Sequence, residues 1–318
     1  MSFWQRLGFY RARNEVRRSD FVFYLLLRCI SLLIVGLFLA FGIFLYQKSD
    51  LALQKFGWKF FLDKNWDPQA QEFGALPFIY GTLVTSLLAL IIALPVSLGA
   101  ALYLTEVAPQ RLRSSMGFLI EMLAAIPSVV YGLWGIFVLA PWMRQLIQPF
   151  LGQHLGFLPF FQGPPFGIGI LTAALILSIM ILPTMTAMIR EVFKAVPSIL
   201  REGALSLGAT RWESMRMAVL TTAKPGILGA VVLGLGRAMG ETMAVTMVIG
   251  NRADMPLSVF GAGATMSSVI ANEYTDATSD LHLSALAAIG LALFIVSLVV
   301  NLFARMILQR YRKKSGTL

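Results

Sequence analysis

Arg237 and Glu241 lie four residues apart in the stretch Gly234-Leu-Gly-Arg-Ala-Met-Gly-Glu-Thr-Met-Ala-Val, inside an apolar run over residues 225–250. A run of that length can cross a bilayer as a helix. A full charge near its middle costs about 2.5–3.5 kcal/mol on insertion scales. The spacing predicts that both side chains share one helix face and touch. Helix stabilisation is a poor reason for them, because Arg before Glu is the weaker order for such a pair. Three kinds of chemistry remain: a buried ion pair that packs or assembles the protein, an anion site on a path through the membrane, and a proton relay. A guanidinium suits the second, since its planar fork meets two oxygens with parallel hydrogen bonds. A carboxylate beside an anion repels it, so the two residues are not equivalent.

The surrounding chain has 318 residues, 57% of them apolar and 13% charged, against about half and about a quarter in soluble domains. That balance predicts an all-α, polytopic membrane protein. The net charge of +10 comes from Lys and Arg at the ends of apolar runs, where cytoplasmic loops collect them. No compact basic domain exists to hold nucleic acid. Cys29 is the single cysteine, which excludes an intrachain disulfide. His154 and His282 lack the i, i+4 partners of a metal-binding helix and read as loop or interfacial histidines. Neither pairs with a nucleophile inside a span, which disfavours a membrane enzyme.

Six spans are expected. Residues 1–20 form a basic cytoplasmic lead, with Arg6, Arg11, Arg13, Arg17 and Arg18 interleaved with Phe3, Trp4, Leu7 and Tyr10. It reads equally as a surface-lying helix or a disordered tail. The first transmembrane helix covers 21–46. It is too long for a signal-peptide core and lacks a small-residue cleavage site, so it is a retained anchor. Residues 47–77 make an extracytoplasmic segment dense in aromatics, Trp58 and Trp66 among them, which suits a membrane interface or a docked partner. Further spans are expected over 78–104, 116–140, 167–189, 225–250 and 284–308. The third carries Glu121 near the inner surface, where it snorkels or serves transport, and Pro127, which bends the helix. Residues 141–166 hold five prolines and are expected to make an interfacial piece. A basic cytoplasmic tail, 309–318, ends the chain.

Six spans put both termini on one side. Eighteen Lys and Arg fall on that side and six on the other, with Arg28 and Arg237 inside spans. The richer side is cytoplasmic. Entering from there at Pro225, the fifth span carries Arg237 about 18 Å deep at helical rise. That is near the middle of a hydrocarbon core about 30 Å thick. The halves of the chain show no mutual repeat, which weakens an inverted-repeat secondary transporter. Gly236 and Gly240 form a small-xxx-small pair and read as helix-packing positions. None of the eight lysines follows a glycine, so a phosphate-cradling P-loop is missing.

Between the fourth and fifth spans, Leu200, Ala204 and Leu207 recur at helical spacing within 197–213. Pro197-Ser198 suits a helix start, and Gly208 suits a stop in the left-handed conformation. Read from physics alone, this is a surface helix. Glu202-Gly203-Ala204, with Gly208 six residues after the Glu, also resembles the EAA loop of ABC importer permeases. Gly203 replaces the usual Ala there, and only Leu220 keeps the later part of that pattern. Four other stretches narrow the resemblance: Gly74-Ala-Leu-Pro-Phe-Ile-Tyr-Gly-Thr-Leu, Ala125-Ile-Pro-Ser-Val-Val-Tyr-Gly-Leu-Trp-Gly, Phe166-Gly-Ile-Gly-Ile-Leu and the Arg237 run itself. Together they resemble the PstC-type permeases of bacterial phosphate importers over nearly the whole chain from residue 20. The long first external segment and the 141–166 insertion favour that type over the similar PstA type.

The resemblance implies a type I ABC importer permease with the MetI-like fold, its ABC type-1 transmembrane domain over 78–308. Glu202, Gly203, Ala204 and Gly208 would then belong to a coupling segment, 197–213, held by an ATP-binding subunit. Inorganic phosphate is the implied substrate, moved across the cytoplasmic (inner) membrane by alternating access. The implied partners are a PstA-type second permease, a dimer of ATP-binding subunits that uses ATP and Mg, and an extracytoplasmic phosphate-binding protein. This chain then binds no cofactor and is not an enzyme. Arg237 becomes the contact for phosphate, and Glu241 neutralises it in one conformation and yields to phosphate in another. Permeases for molybdate or tungstate would also suit Arg237. A secondary transporter and a membrane enzyme are the alternatives from other classes.

Overall fold

The computed structural model describes the backbone of residues 3–314 and the side chains of 20–307 and 309. The first two residues of the expected lead and the last four of the expected tail lie outside it. Among the described residues, six helical stretches are long and apolar enough to cross a membrane: Asp20–Lys48, Leu76–Val107, Ser128–Leu155, Ile170–Lys194, Arg211–Gly240 and Asp280–Ile307. The chain forms two compact units, 1–48 and 49–318. The first is a single helix, α1 (Phe3–Lys48), which takes in the lead as well as the first span.

The second unit begins with α2 (Asp50–Phe56), a 3-10 turn at Gly57–Phe61 and a hairpin of two short strands, β1 (Trp66–Asp67) and β2 (Glu72–Phe73). The strands pair Trp66 with Phe73 and Asp67 with Glu72. Next come α3 (Leu76–Leu102), continued by a π turn at Tyr103–Val107, and α4 (Gln110–Ala124). The third span is built from α5 (Ser128–Trp134), α6 (Ala140–Trp142) and α7 (Gln148–Leu155), joined by π turns. After α8 (Ile170–Lys194) and α9 (Ser198–Ser206), α10 (Arg211–Ser214) passes through a π turn into α11 (Thr221–Gly240). The chain ends with α12 (Met243–Val248), α13 (Met266–Glu273) and α14 (Asp280–Lys314).

Two expected spans move. Pro127 does not bend the third span but separates α4 from it, with extended backbone angles of φ −59° and ψ 140°. A proline disfavours helical geometry in the residue before it, which stops α4 at Ala124. The span then starts at Ser128 and absorbs Pro141 and Pro149. Each of these sits at the start of a helical segment, where a missing N–H costs little. The fifth span starts at Arg211, well before Pro225. Thr210 and Glu213 form a reciprocal capping box that begins it, and such a box satisfies two otherwise unpaired N–H groups. Pro225 lies inside α11.

Lipid tails remove the hydrophobic drive between spans, so close packing and small residues hold them together. α8 is the most deeply buried span. Its Ile176, Leu177, Met180, Ile181 and Met185 pack with Ala89 and Ala93 of α3 and with Val245 and Val248 of α12. A second core gathers Phe60, Phe73, Phe78, Met266, Leu286 and Ile289. Trp66 meets the Phe73 and Phe78 rings edge-on, with centroids 4.8 and 4.9 Å away. The aromatic density of 47–77 therefore builds an internal core, with Trp58 left exposed. His282 is buried in the first turn of α14 rather than on a loop. It stacks on Phe73 and lies 2.9 Å from Glu273 Oε2, which also accepts from Trp66 Nε1. A third core, of Ala101, Ile189, Phe193, Val196, Val219 and Ala223, ties the ends of α3, α8 and α11 beside α9.

Candidate functional site

α11 packs on α8 through Ala230, Gly234 and Ala238, all buried and spaced by four residues. A Cβ on Gly234 would lie 2.7 Å from Met185 Sδ, so a side chain there would have to displace the flexible end of Met185. The sequence assigned close packing to Gly236 and Gly240. A Cβ on either would meet nothing within 4 Å, so within this chain these two glycines pack against no side chain. Both glycines are exposed, and Arg237 is exposed beside them.

Arg237 is exposed, and its Nη1 donates to Thr184 Oγ1 at 2.9 Å. Thr184 stands in α8 one residue after Pro183. It is ten residues from the end of that helix at Lys194 and fourteen from Ile170, so roughly 15 and 21 Å at helical rise. The guanidinium therefore lies beside the middle of α8. The Tyr131 hydroxyl of α5 donates to the Leu123 carbonyl.

The expected contact between Arg237 and Glu241 does not form. α11 ends at Gly240, and the ψ of 130° at Glu241 turns the chain out of the helix from there on. The Glu241 carboxylate instead accepts the Ala244 N–H at 3.3 Å at the start of α12, and its carbonyl accepts Ser267 Oγ at 2.7 Å. None of the ion pairs among the described residues includes Arg237. Irregular backbone at membrane depth is tolerated where it is buried in protein or lines a polar cavity, and the break at Glu241–Thr242 adjoins the exposed Gly240.

The second group of predicted residues lies on α9. Glu202 and Gly203 are exposed, Ala204 is half-buried, and Gly208 has φ +86°, the left-handed stop its position demands. Ile199, Leu207 and Trp212 present apolar surface around them, Leu207 at 90% exposure. The opposite side of α9 is anchored by Arg201, which the sequence reading passed over. Arg201 Nη2 and Nε bond the Glu106 carboxylate at 2.8–3.2 Å, while Nη1 and Nη2 donate to the carbonyls of Val196 and Phe193 at 2.7 and 2.8 Å.

Glu121 has a structural partner. Its Oε1 lies 3.0 Å from Nη2 of Arg190, a buried arginine in the last turns of α8. Gly117 makes room for this pair, because a Cβ there would strike the guanidinium. An open cavity of about 470 Å³ adjoins it, lined by Gln110, Arg113, Ser114 and Lys194 among others. No group of three or more His, Cys, Asp or Glu placed to hold a metal occurs among the described residues.

A family model described as "Binding-protein-dependent transport system inner membrane component" matches residues 93–313. The chain is 44% identical over 302 residues to the phosphate transport system permease protein PstC of Mesorhizobium japonicum, covering 94% of this chain and 92% of the relative. It is 46% identical over 303 residues to PstC of Xylella fastidiosa strain Temecula1, covering 94% and 93%. A probable PstC of Methanocaldococcus jannaschii is 36% identical, covering 82% of this chain and 85% of that one. Among solved structures, a bacterial ABC transporter involved in import of the acidic polysaccharide alginate aligns with a TM-score of 0.59 at 19% identity, covering 94% of this chain and 99% of its own. The inward-facing MetNI methionine ABC transporter aligns at 0.54 and 17%, covering 74% and 94%.

Proposed function

The chain belongs to the PstC family of phosphate transport system permeases, among the binding-protein-dependent inner membrane components, and on that premise we propose how its residues move the anion. It is a multi-pass membrane protein and the permease subunit of a phosphate ABC importer. Arg237 is the phosphate contact on the translocation path. One observation carries this: an exposed guanidinium beside the middle of α8, with a hydroxyl partner and no carboxylate partner. A neutral hydroxyl orients the fork without cancelling its charge, which leaves the charge for an oxyanion. Glu241 serves as counter-ion in the conformation that excludes phosphate and, as here, holds the α11–α12 joint in another.

Around this site, the remaining assignments follow the family. α9, with Glu202, Gly203, Ala204 and Gly208, docks in the ATP-binding subunit, and ATP and Mg are used there rather than in this chain. A PstA-type permease covers the exposed Gly236, Arg237 and Gly240 of α11, and an extracytoplasmic phosphate-binding protein delivers the anion. Both termini lie in the cytoplasm, on the side richer in Lys and Arg. Reconstitution with these partners should give uptake of labelled phosphate that requires ATP and persists against an equal concentration of molybdate. Uptake without ATP, or inhibition by molybdate as strong as by unlabelled phosphate, would contradict the assignment.

A further inference from the structure

The Arg201–Glu106 pair joins two elements that the chain does not connect directly. α9 is tethered covalently to α8 through Ala195–Pro197 and to α10 through residues 207–210. Its link to the second span is through space. Arg201 sits mid-way along α9 and meets Glu106 in the π turn that ends α3, ninety-five residues earlier. Both side chains are largely covered, at 24% and 13% exposure. The guanidinium uses Nε and Nη2 on the carboxylate in a forked contact and also caps the carbonyls of Phe193 and Val196 at the end of α8. The Arg201 carbonyl in turn accepts Ser214 Oγ from α10. A planar fork bonded this way fixes direction as well as distance, which a lysine ammonium cannot do.

We propose that Arg201 and Glu106 form a rigid polar strut that carries displacement of α9 into the second span, making them positioning residues for coupling ATP hydrolysis to transport. The apolar tip of α9, with Ile199 and Leu207, faces away from the protein, while Arg201 fastens the other side to α3 and α8 together. A push on the tip therefore moves the second and fourth spans as one body. This inference rests on α9 being the coupling segment, and the experiment separates the two.

In the assembled transporter, Glu106→Gln keeps the shape of the side chain and leaves Arg201 bonded to Phe193 and Val196. ATP-binding subunits should co-purify with this variant at the wild-type level. Stimulation of ATP hydrolysis by phosphate-loaded binding protein, and phosphate moved per ATP, should each fall about tenfold, the scale of losing a charge-assisted hydrogen bond. Arg201→Lys keeps the charge and should fail to restore coupling. Coupling within twofold of wild type in an intact Glu106→Gln complex would overturn the strut. Should that variant not assemble, cysteines at 106 and 201 in a Cys29→Ser chain give a second measurement. Bridging them with a short, rigid thiol cross-linker should restore the coupling that the unbridged cysteine pair lacks, and coupling unchanged by the bridge would overturn the strut. Gly203→Trp on the exposed side tests the underlying reading: unchanged binding of ATP-binding subunits would remove α9 as the coupling segment.

Discussion

Thr184 differs from Thr82, Thr85, Thr105 and Thr186 in where its hydroxyl bonds. The hydroxyls of Thr82, Thr85, Thr105 and Thr186 bond carbonyls of their own helix four residues back, a local way to satisfy a hydroxyl in an apolar setting. Thr184 instead accepts from Arg237 on another helix. Thr184→Val should therefore lower phosphate uptake by about tenfold, on the scale of ~1.5–3 kcal/mol for a hydrogen bond to a charged group, with Thr184→Ser restoring most of it. Concentration-dependent uptake at matched membrane levels decides this, and equal rates for the Val and Ser variants would remove Thr184 as a positioning residue. Glu241→Gln should raise ATP hydrolysis in the absence of binding protein if the carboxylate latches the resting conformation, whereas an unchanged basal rate and unchanged coupling would count against the latch. Arg237 was legible in the sequence because a charge inside an apolar run is costly anywhere. Thr184 was not, because nothing in its neighbours separates it from threonines that bond their own helix. Arg237 and Glu241 do not touch here for a local reason: four-residue spacing brings contact only while the helix continues, and α11 stops at Gly240.

Among the elements, the spans were legible as apolar runs and their ends were misread where proline intervened. Pro127 was read as a bend and is a separator, while Pro141 and Pro149, read as part of an interfacial piece, are accommodated at segment starts within the third span. The same residue type does either job depending on where the missing N–H falls in the turn. The glycines of α11 show the matching limit. A glycine repeat marks a face without saying what covers it, and here the close approach to α8 occurs at Gly234, not at Gly236 and Gly240. Gly234→Leu should accordingly destabilise the permease by about 1–3 kcal/mol through overpacking against Met185. Thermal unfolding in detergent should show a lowered midpoint for Gly234→Leu and an unchanged one for Gly236→Ala. Equal midpoints would mean that the α8–α11 contact is looser than it looks.

For the whole molecule, family motifs and charge asymmetry carried more of the reading than any single contact did. The quoted stretches led to the phosphate permease family, since they span most of the chain, whereas the Arg201–Glu106 and Arg190–Glu121 pairs link residues 95 and 69 positions apart. No periodicity reports such pairings. Orientation remains open to a direct test in a Cys29→Ser background. A cysteine replacing Trp58 should react with an impermeant maleimide on intact cells whose outer membrane is permeabilised, and one replacing Leu207 only after the inner membrane is opened; the reverse order would invert the topology. Everything else depends on whether the Arg237 guanidinium touches the anion. The decisive measurement is ATP-dependent phosphate uptake by fully assembled transporters carrying Arg237→Gln or Arg237→Lys, at equal membrane levels and with ATP-binding subunits present in wild-type proportion. Uptake should fall at least about tenfold in the Gln variant, with the Lys variant between it and wild type because it keeps the charge and loses the fork. Wild-type uptake by the Gln variant would contradict the role assigned to Arg237.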